Sequence, residues 1–318
     1  MNARTEISPA LPRISILGDI GIDLVMGPLD GWPETGTETL MPRSEMRAGG
    51  SAGNAALALR ALGAPVRLLS AVGHDALGAW LAGQFDGLET ELTVLAAPTS
   101  LSVGMIHGAG DRNFFTTHGH LDLQPPAAAP RAARPGDILL LTGVFLLPRL
   151  RALYCQLMQQ WRDLGYQIAI DTGWPPEGFT AEVVAEVRSW LPLADHILLN
   201  DLEIRRLAQT DGLESAMTAL SALLRPGATL VAKTGRDGAR AWRDGAHAAA
   251  TPPASDDIFD TIGAGDAFNA GYLQAVSQGA DLGTTLTAGC ATATRIIAQF
   301  PRQHLASQFQ GASWPAEV

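Results

Sequence analysis

Short apolar runs alternate with segments of helical pattern along most of the chain, and this alternation constrains the fold more than any other feature of the sequence. The run ISILG at 14–18 is apolar throughout, which is typical of a strand buried on both faces of a parallel sheet. Helices connect such strands in α/β proteins, so the sequence predicts a central, mostly parallel sheet covered by helices on both faces. The predicted strands lie at 14–18, 66–73, 137–144, 166–171, 196–200 and 229–235, and the predicted helices at 55–63, 75–85, 150–165 and from 201.

Two β-patterned stretches, 23–46 and 99–120, interrupt this order. The first holds the alternating segment TETLMPRSEM, and the second holds GAGD at 108–111, which is typical of a hairpin turn. We expect antiparallel strands that pair in space into one small sheet, a discontinuous lid standing off the main domain. Separate surface hairpins are the alternative. The α/β domain would then comprise residues 11–22, 47–98 and 121–318.

Composition excludes several classes of function. The chain has 318 residues, of which 47% are hydrophobic, so it can bury a large core, and its net charge of −10 offers no basic field for nucleic acid or an anionic membrane. Cys155 and Cys290 are the only cysteines, far apart in sequence, so a disulfide framework is not expected. The first residues lack the apolar core of a signal peptide, and no apolar run approaches the roughly 18 residues of a membrane span. We expect a soluble, cytoplasmic protein.

Three segments resemble known functional motifs, but each has a structural explanation that fits the sequence better. GATLVAKT at 227–234 lacks the second glycine of a phosphate-binding loop and is β-prone, so a strand is favoured. His118 and His120 have no clustered third ligand, which favours a polar strand end over a metal site. GAGDAF lacks the third glycine of a dinucleotide fingerprint and lies late in the chain, which disfavours a Rossmann dehydrogenase.

The segment DTIGAGDAFNAGYL at 260–273 carries the most informative chemistry. Gly263, Ala264 and Gly265 can bring backbone amides together where a helix begins, and such amides attract anions. Asp266 follows them directly, so it could serve as the base that takes a hydroxyl proton during phosphoryl transfer. A plain helix-capping aspartate is the alternative.

Together with AGGSAGNAALALRALGAPVRLLSAVG at 48–73, DTIGAGDAF resembles the two diagnostic motifs of the ribokinase-like, or PfkB-type, carbohydrate kinases. The resemblance runs from GDIGID near residue 18 to the helix around Cys290 and covers most of the chain. It implies a three-layer α/β/α ribokinase-like fold with a small β-sheet lid, and ATP and Mg²⁺ as cofactors.

The resemblance also implies roles for individual residues on the acceptor side. Asp266 corresponds to the catalytic base, and Gly263, Ala264 and Gly265 to the anion hole. Asp23 falls where the family has a carboxylate that binds sugar hydroxyls, with an exposed loop aspartate as the alternative. Gly49, Gly50 and Asn54 match the substrate loop, with a capped helix N-terminus as the alternative.

On the nucleotide side, NDLE resembles the NxxE motif, in which Asn200 and Glu203 would organise Mg²⁺ through its waters; a surface pair is the alternative. KTGRDG falls on the nucleotide-binding turn, and Cys290 lies either at the adenine pocket or simply in the core. The residues implied to bind nucleotide are Asn200, Lys233, Thr234, Gly235, Gly238, Gly265 and Cys290.

The chain departs from the ribokinase pattern at three places. Ser51 replaces a lysine, and an apolar residue near Val144 replaces a substrate-contacting glutamate, so ribose itself is in question. Asp260 matches a ligand of the monovalent cation that activates many members. The glycine expected near the later ligands is replaced around 299–303, however, which leaves activation by K⁺ open.

The sequence thus predicts an ATP-dependent kinase that phosphorylates a hydroxymethyl group of a small sugar or related polyol, with ATP and a small molecule as its partners. A nucleoside kinase of the same family is the nearest alternative. A non-catalytic sensor of sugars or nucleotides is disfavoured, because Asp266 is intact beside the GAG segment. A homodimer is expected.

Overall fold

A nine-stranded sheet runs through the middle of the protein, whose computed structural model describes residues 11–107, 112–126, 131–255, 258 and 260–302. Its strand order is β13-β12-β11-β10-β9-β8-β1-β4-β5, and only the contacts of β12 with β11 and β13 are antiparallel. The strands are β1 (Ile14–Leu17), β4 (Val66–Gly73), β5 (Glu89–Leu95), β8 (Ile138–Thr142), β9 (Gln167–Asp171), β10 (His196–Asn200), β11 (Thr229–Lys233), β12 (Ala239–Arg243) and β13 (Ala246–Ala250).

Helices cover both faces of this sheet. One hydrophobic cluster joins the sheet to the first, second, eighth and ninth helices, and a second cluster joins the opposite face to the others. The helices are α1 (Ser51–Ala61), α2 (Ala76–Gly83), α3 (Pro148–Arg151), α4 (Tyr154–Asp163), α5 (Ala181–Trp190), α6 (Asp201–Ala208), α7 (Leu213–Ser221), α8 (Ala264–Ser277) and α9 (Leu282–Ile297). The predicted three-layer α/β/α architecture is confirmed.

A second, four-stranded sheet has the order β3-β2-β6-β7. Its strands are β2 (Gly21–Leu29), β3 (Arg43–Gly49), β6 (Leu101–His107) and β7 (Arg112–Thr117). The two interrupting stretches therefore meet in one small sheet, but β2 and β6 pair in parallel, with Asp23 opposite Ser102. One detail of the prediction is wrong: residues 37–42 form no strand, and β3 begins at Arg43. The hairpin turn predicted at 108–111 lies outside the described residues.

One face of the small sheet packs on the segment that precedes α8. Val25 and Ile106 form a buried apolar cluster with Ile262, and the Arg112 guanidinium donates to the Thr261 hydroxyl over 2.5 Å. The small sheet therefore lies against the start of α8, beside the carboxyl edge of the large sheet.

Several local predictions can be judged directly. The segment that resembled a phosphate loop is strand β11, and the helix predicted at 150–165 divides into α3 and α4. His118 and His120 lie beyond β7, so they are not strand residues; His118 contacts Asp122 and His120 accepts from the Ser100 amide. Within the described part of the chain, no helix is long and apolar enough to cross a membrane.

Candidate active site

The amino end of α8 presents free backbone amides. Gly263 caps this helix in a left-handed conformation, with φ of 73°, and no side chain closes the cap. The Ala264 amide already donates to the Thr261 carbonyl over 3.2 Å. Among the described residues, the amides of Gly263, Gly265 and Asp266 have no acceptor. Because the helix dipole adds partial positive charge here, this end of α8 can hold an anion.

Asp266 lies in the first turn of α8 but does not cap the helix. Its carboxylate instead accepts a hydrogen bond of 2.9 Å from the side-chain amide of Asn54, in the first turn of α1. Burial, together with the negative charge of Asp171, raises the pKa of Asp266 to about 8. A carboxylate with a raised pKa beside free amides is suited to accept a proton near neutral pH. The capping alternative is therefore not what the geometry shows.

A buried polar cluster lies beneath these amides. The Lys233 ammonium, at the end of β11, donates to Asp171 over 2.6 Å and to Asn269 over 3.3 Å, and Asn269 donates to Asp171 over 2.6 Å. A Cβ atom on Gly265 would lie 3.4 Å from the Lys233 ammonium. Burial lowers the pKa of Lys233, but Asp171 and Glu203 outweigh that effect and raise it. A lysine charge thus adjoins the amides, where it can attract phosphoryl oxygens.

Asp171 and Asn269 were not anticipated from the sequence as site residues. The sequence contains an indication for each of them. Asp171 ends a buried parallel strand, and ligand sites of α/β proteins lie at such strand ends. Asn269 follows Asp266 by three residues on the same helix, so the two side chains lie on one face of it. The contacts between them could not be read from sequence, because 98 residues separate the two.

Asp23, on β2, is buried, and burial raises its pKa to about 6 against the opposing effect of Arg47. Gly49 leaves the space that this carboxylate occupies, since a Cβ atom there would overlap it. Gly50, with φ of 80°, is in close contact with the backbone of Asp19. The two glycines were expected to admit a ligand, and the structure shows that they first make room for Asp23 and Asp19.

Asp19 is a further acidic residue near the site, and no sequence pattern singled it out. It is 3% exposed, and both carboxylate oxygens lie 3.1 Å from the Ser51 amide. Burial raises its pKa to about 6. It also fills the space beside Gly143, whose φ is 68°. Val144, in the position noted as a departure from ribokinases, is fully buried and lies in the core.

Asn200 and Glu203 form a reciprocal cap at the start of α6. The Asn200 side chain accepts from the Glu203 amide over 2.8 Å, and the Glu203 carboxylate accepts from the Asn200 amide over 2.9 Å. Glu203 is 3% exposed, and burial, followed by the charge of Asp171, raises its pKa. The positive charge of Lys233 opposes this shift, and a role of the pair in holding Mg²⁺ stays a prediction. Among the described residues, no group of three or more His, Cys, Asp or Glu side chains is placed to hold a metal ion.

The turn after β11 is open beside Gly235 and closely packed at Gly238. Gly235 adopts φ of 60°, and no atom would lie within 4 Å of a Cβ atom at this position. Gly238 is so close to the Ala250 carbonyl that a Cβ atom would overlap it. The Thr234 hydroxyl is buried and, among the described residues, has no hydrogen-bond partner. An unpaired buried hydroxyl on an open glycine turn fits a polar ligand group.

Cys290 is buried on α9, and its thiol lies 3.9 Å from the Ala250 carbonyl on β13. Burial raises the pKa of this thiol, so it is a poor nucleophile. Its neighbours belong to the main hydrophobic cluster. Cys290 is therefore a core residue in this structure, and its contact with adenine stays a prediction.

Asp260, a possible ligand of a monovalent cation, already contacts two arginine side chains. The Arg47 guanidinium contacts both of its carboxylate oxygens, over 3.0 and 3.1 Å, and Arg302 contacts one of them over 2.9 Å. Burial raises the pKa of Asp260, but the two arginines outweigh burial and lower it. A further cation at this carboxylate would lie beside two positive charges.

The fold is shared with sugar and nucleoside kinases of known structure. Adenosine kinase from Sinorhizobium meliloti superimposes with a TM-score of 0.78 at 19% identity, over 92% of this chain and 96% of that one. Ribokinase from Arabidopsis thaliana, solved with ribose and ATP, gives a TM-score of 0.69 at 20% identity, over 91% of this chain and 93% of that one.

Sequence comparison reaches the same group of enzymes. A nucleoside kinase of Methanothermobacter thermautotrophicus is 27% identical over 278 residues, which cover 85% of this chain and 84% of the relative. The model of the pfkB family carbohydrate kinases matches residues 12–304. Since that match spans nearly the whole chain, the protein belongs to the pfkB family of carbohydrate kinases, phosphotransferases with hydroxyl acceptors.

Proposed function

We propose that this kinase transfers the γ-phosphoryl group of MgATP to a hydroxymethyl group of a small sugar or related polyol, with Asp266 as general base. The observation that carries the proposal is the position of Asp266 directly beside the amides of Gly263 and Gly265, which have no acceptor within the described ranges of the chain. A base and an anion site side by side match phosphoryl transfer to an alcohol, in which a proton leaves the acceptor as charge grows on the phosphoryl oxygens.

In this proposal, Asn54 holds the Asp266 carboxylate through its hydrogen bond, so that one oxygen faces the acceptor hydroxyl. The amides at the start of α8 and the Lys233 ammonium stabilise the transferring group. Asp23 orients the acceptor by accepting hydrogen bonds from its other hydroxyls. The small sheet excludes water, which would otherwise compete as phosphoryl acceptor.

The nucleotide would lie along the turn at Thr234, Gly235 and Gly238. Mg²⁺, when bound, would supply positive charge to the nucleotide phosphates, and Asn200 and Glu203 would hold its waters. The negative charge of Asp171 near Glu203 supports the binding of a cation beside this carboxyl. K⁺ is not part of this proposal, because two arginines already contact the Asp260 carboxylate.

A nucleoside acceptor is the second candidate. It is favoured by the nucleoside kinase of Methanothermobacter thermautotrophicus, which is similar over 85% of this chain. A screen of ATP consumption over pentoses, hexoses, ketoses, deoxy-ketoacids and nucleosides separates the two. Turnover with none of them would contradict the proposed function and favour a binding protein.

We expect Glu203→Gln to raise the Mg²⁺ concentration needed for half-maximal activity, without loss of sugar binding. Glutamine keeps an oxygen that can accept from the Asn200 amide, so the cap of α6 persists while the negative charge is lost. A titration of activity against Mg²⁺ measures the effect. Glu214→Gln, an exposed glutamate in the first turn of α7, is the control. An unchanged Mg²⁺ curve would leave the pair with a capping role only.

We also expect the two stretches of the small sheet to respond together to ligand. Hydrogen exchange in β2–β3 and β6–β7 should be faster than in the central strands of the free protein, because the small sheet has only four strands and its edge strand β7 is exposed throughout. Substrate with a non-hydrolysable nucleotide should slow exchange in both stretches. Protection of only one stretch, or of neither, would contradict the lid.

A further inference from the structure

Three buried side chains meet beside the start of α8: Arg47 from β3, Asp260 from the segment before α8, and Arg302 from the segment after α9. Their side chains are 5%, 1% and 1% exposed, respectively. The Asp260 carboxylate accepts from both arginines and also from the Ile262 amide over 2.8 Å. We call these three residues the arginine cluster. The arginine cluster thus connects β3 of the small sheet with the segment that precedes α8 and the segment that follows α9.

Glu45 balances the charge of the arginine cluster. Its carboxylate accepts from Arg47 over 3.2 Å and from the Arg302 backbone amide over 2.7 Å. Two guanidinium groups thus contact two carboxylates in a buried place. Because an unpaired buried charge is costly, each arginine is held firmly by its partners.

Arg302 acts directly on the peptide that opens α8. Its guanidinium donates to the Ile262 carbonyl and, over 3.4 Å, to the Asp260 carbonyl. The carbonyl of Ile262 and the N–H of Gly263 belong to one trans peptide group, so they point in opposite directions. A carbonyl fixed on Arg302 therefore turns the Gly263 amide away from the arginine cluster, on the side where the anion would bind.

We infer that Arg302 is a positioning residue that orients the Gly263 amide of the anion site, and that its guanidinium serves as a built-in cation, so that activity needs no K⁺. Arg47 supports this role by sharing Asp260, and it ties the same carboxylate to β3 of the small sheet. The inference rests on the proposed function, because the anion site matters only if phosphoryl transfer takes place there.

The first test uses the wild-type protein, stripped of alkali cations and assayed with ATP, Mg²⁺ and an accepted substrate. KCl replaces tetramethylammonium chloride at constant ionic strength. We expect kcat to change by less than about twofold, because the cation position is filled by arginine. Stimulation by about tenfold or more would overturn the inference while leaving the proposed function intact. Absence of phosphoryl transfer in both salts, with every acceptor of the screen, would instead contradict the proposed function.

The second test removes the built-in cation. We expect Arg302→Ala to lower kcat by about tenfold or more with a smaller change in the acceptor KM, since the loss concerns transition-state charge. Guanidinium ion or K⁺ should restore part of the activity, and Arg302→Lys should retain more activity than the alanine variant. Arg295→Ala, an exposed arginine on α9, is the control. Normal kcat in Arg302→Ala, or a loss in folded protein that no cation restores, would overturn the positioning role. If the variant does not fold, the K⁺ titration of the wild type decides.

Discussion

Asp266→Asn should lower kcat by about 100-fold or more, because asparagine keeps the shape of the side chain but cannot take a proton. The hydrogen bond with Asn54 can persist, since the new side chain retains one acceptor oxygen. Nucleotide affinity should change little, as the turn at Thr234 and Gly235 is not altered. Steady-state kinetics together with nucleotide binding measured by calorimetry check both parts. If Asp266→Asn turns over at nearly the wild-type rate, Asp266 is not the general base.

The dependence of kcat/KM on pH, compared between the wild type and Asp266→Asn, tests the role of Asp266 further. The base must be unprotonated, and burial raises the pKa of Asp266 to about 8, so wild-type kcat/KM should rise with pH up to about 8 and level off above it. In Asp266→Asn, this rise should disappear.

Thermal unfolding provides the control for folding. A carboxylate whose pKa is raised by folding destabilises the folded state at pH values above its unfolded pKa, so Asp266→Asn should unfold at the same temperature or higher. Asp211→Asn, an exposed aspartate between α6 and α7, should leave both the kinetics and the pH profile unchanged.

The fold was predictable where burial imposes a pattern. Strands such as β4 and β8 are covered on both faces, so their sequences are continuously apolar and their bounds follow closely. β5 escaped prediction because it is an edge strand: its sequence ETELTVL is mostly exposed and carries charges. β12 and β13 are short antiparallel strands with small residues, so their periodicity is weak.

The candidate site was predictable where one local segment carries the chemistry. GAG followed by Asp266 shows both an anion site and a base within a few residues, and the resemblance to a kinase family supplied Asp23 and Asn54. Contacts between residues that are far apart in the chain produce no such local pattern in the sequence. Arg302 contacts Asp260 across 42 residues and Arg47 contacts it across 213, so neither arginine could be assigned to the site from spacing.

The neighbours of Gly49 and Gly50 also could not be predicted from the sequence. Sequence reasoning assigns conformational freedom to Gly49 and Gly50 and infers a ligand nearby. Only the folded structure shows that the space beside Gly49 is taken by the Asp23 carboxylate, whereas Gly50 requires its left-handed backbone. Gly49 has no such backbone requirement, so it can be substituted to probe Asp23 alone.

Gly49→Ala should lower kcat/KM for the acceptor by about 100-fold, because the added methyl group would overlap the Asp23 carboxylate and displace it from the acceptor hydroxyls. The displaced carboxylate has little room, since it is buried beside Arg47. The KM for ATP should stay within about twofold of the wild-type value, because the substitution lies on β3 and not on the nucleotide turn.

Gly83→Ala is the matched control for this variant. Gly83 ends α2 with an ordinary backbone conformation, and nothing lies within 4 Å of a Cβ atom there, so the same added methyl group should leave kinetics unchanged. Asp23→Asn completes the comparison: if displacement of Asp23 is the cause, both variants should weaken the acceptor and not ATP. Loss of stability without a change in acceptor kinetics, or an equal loss for both substrates, would show that Gly49 serves packing and that Asp23 does not bind the acceptor.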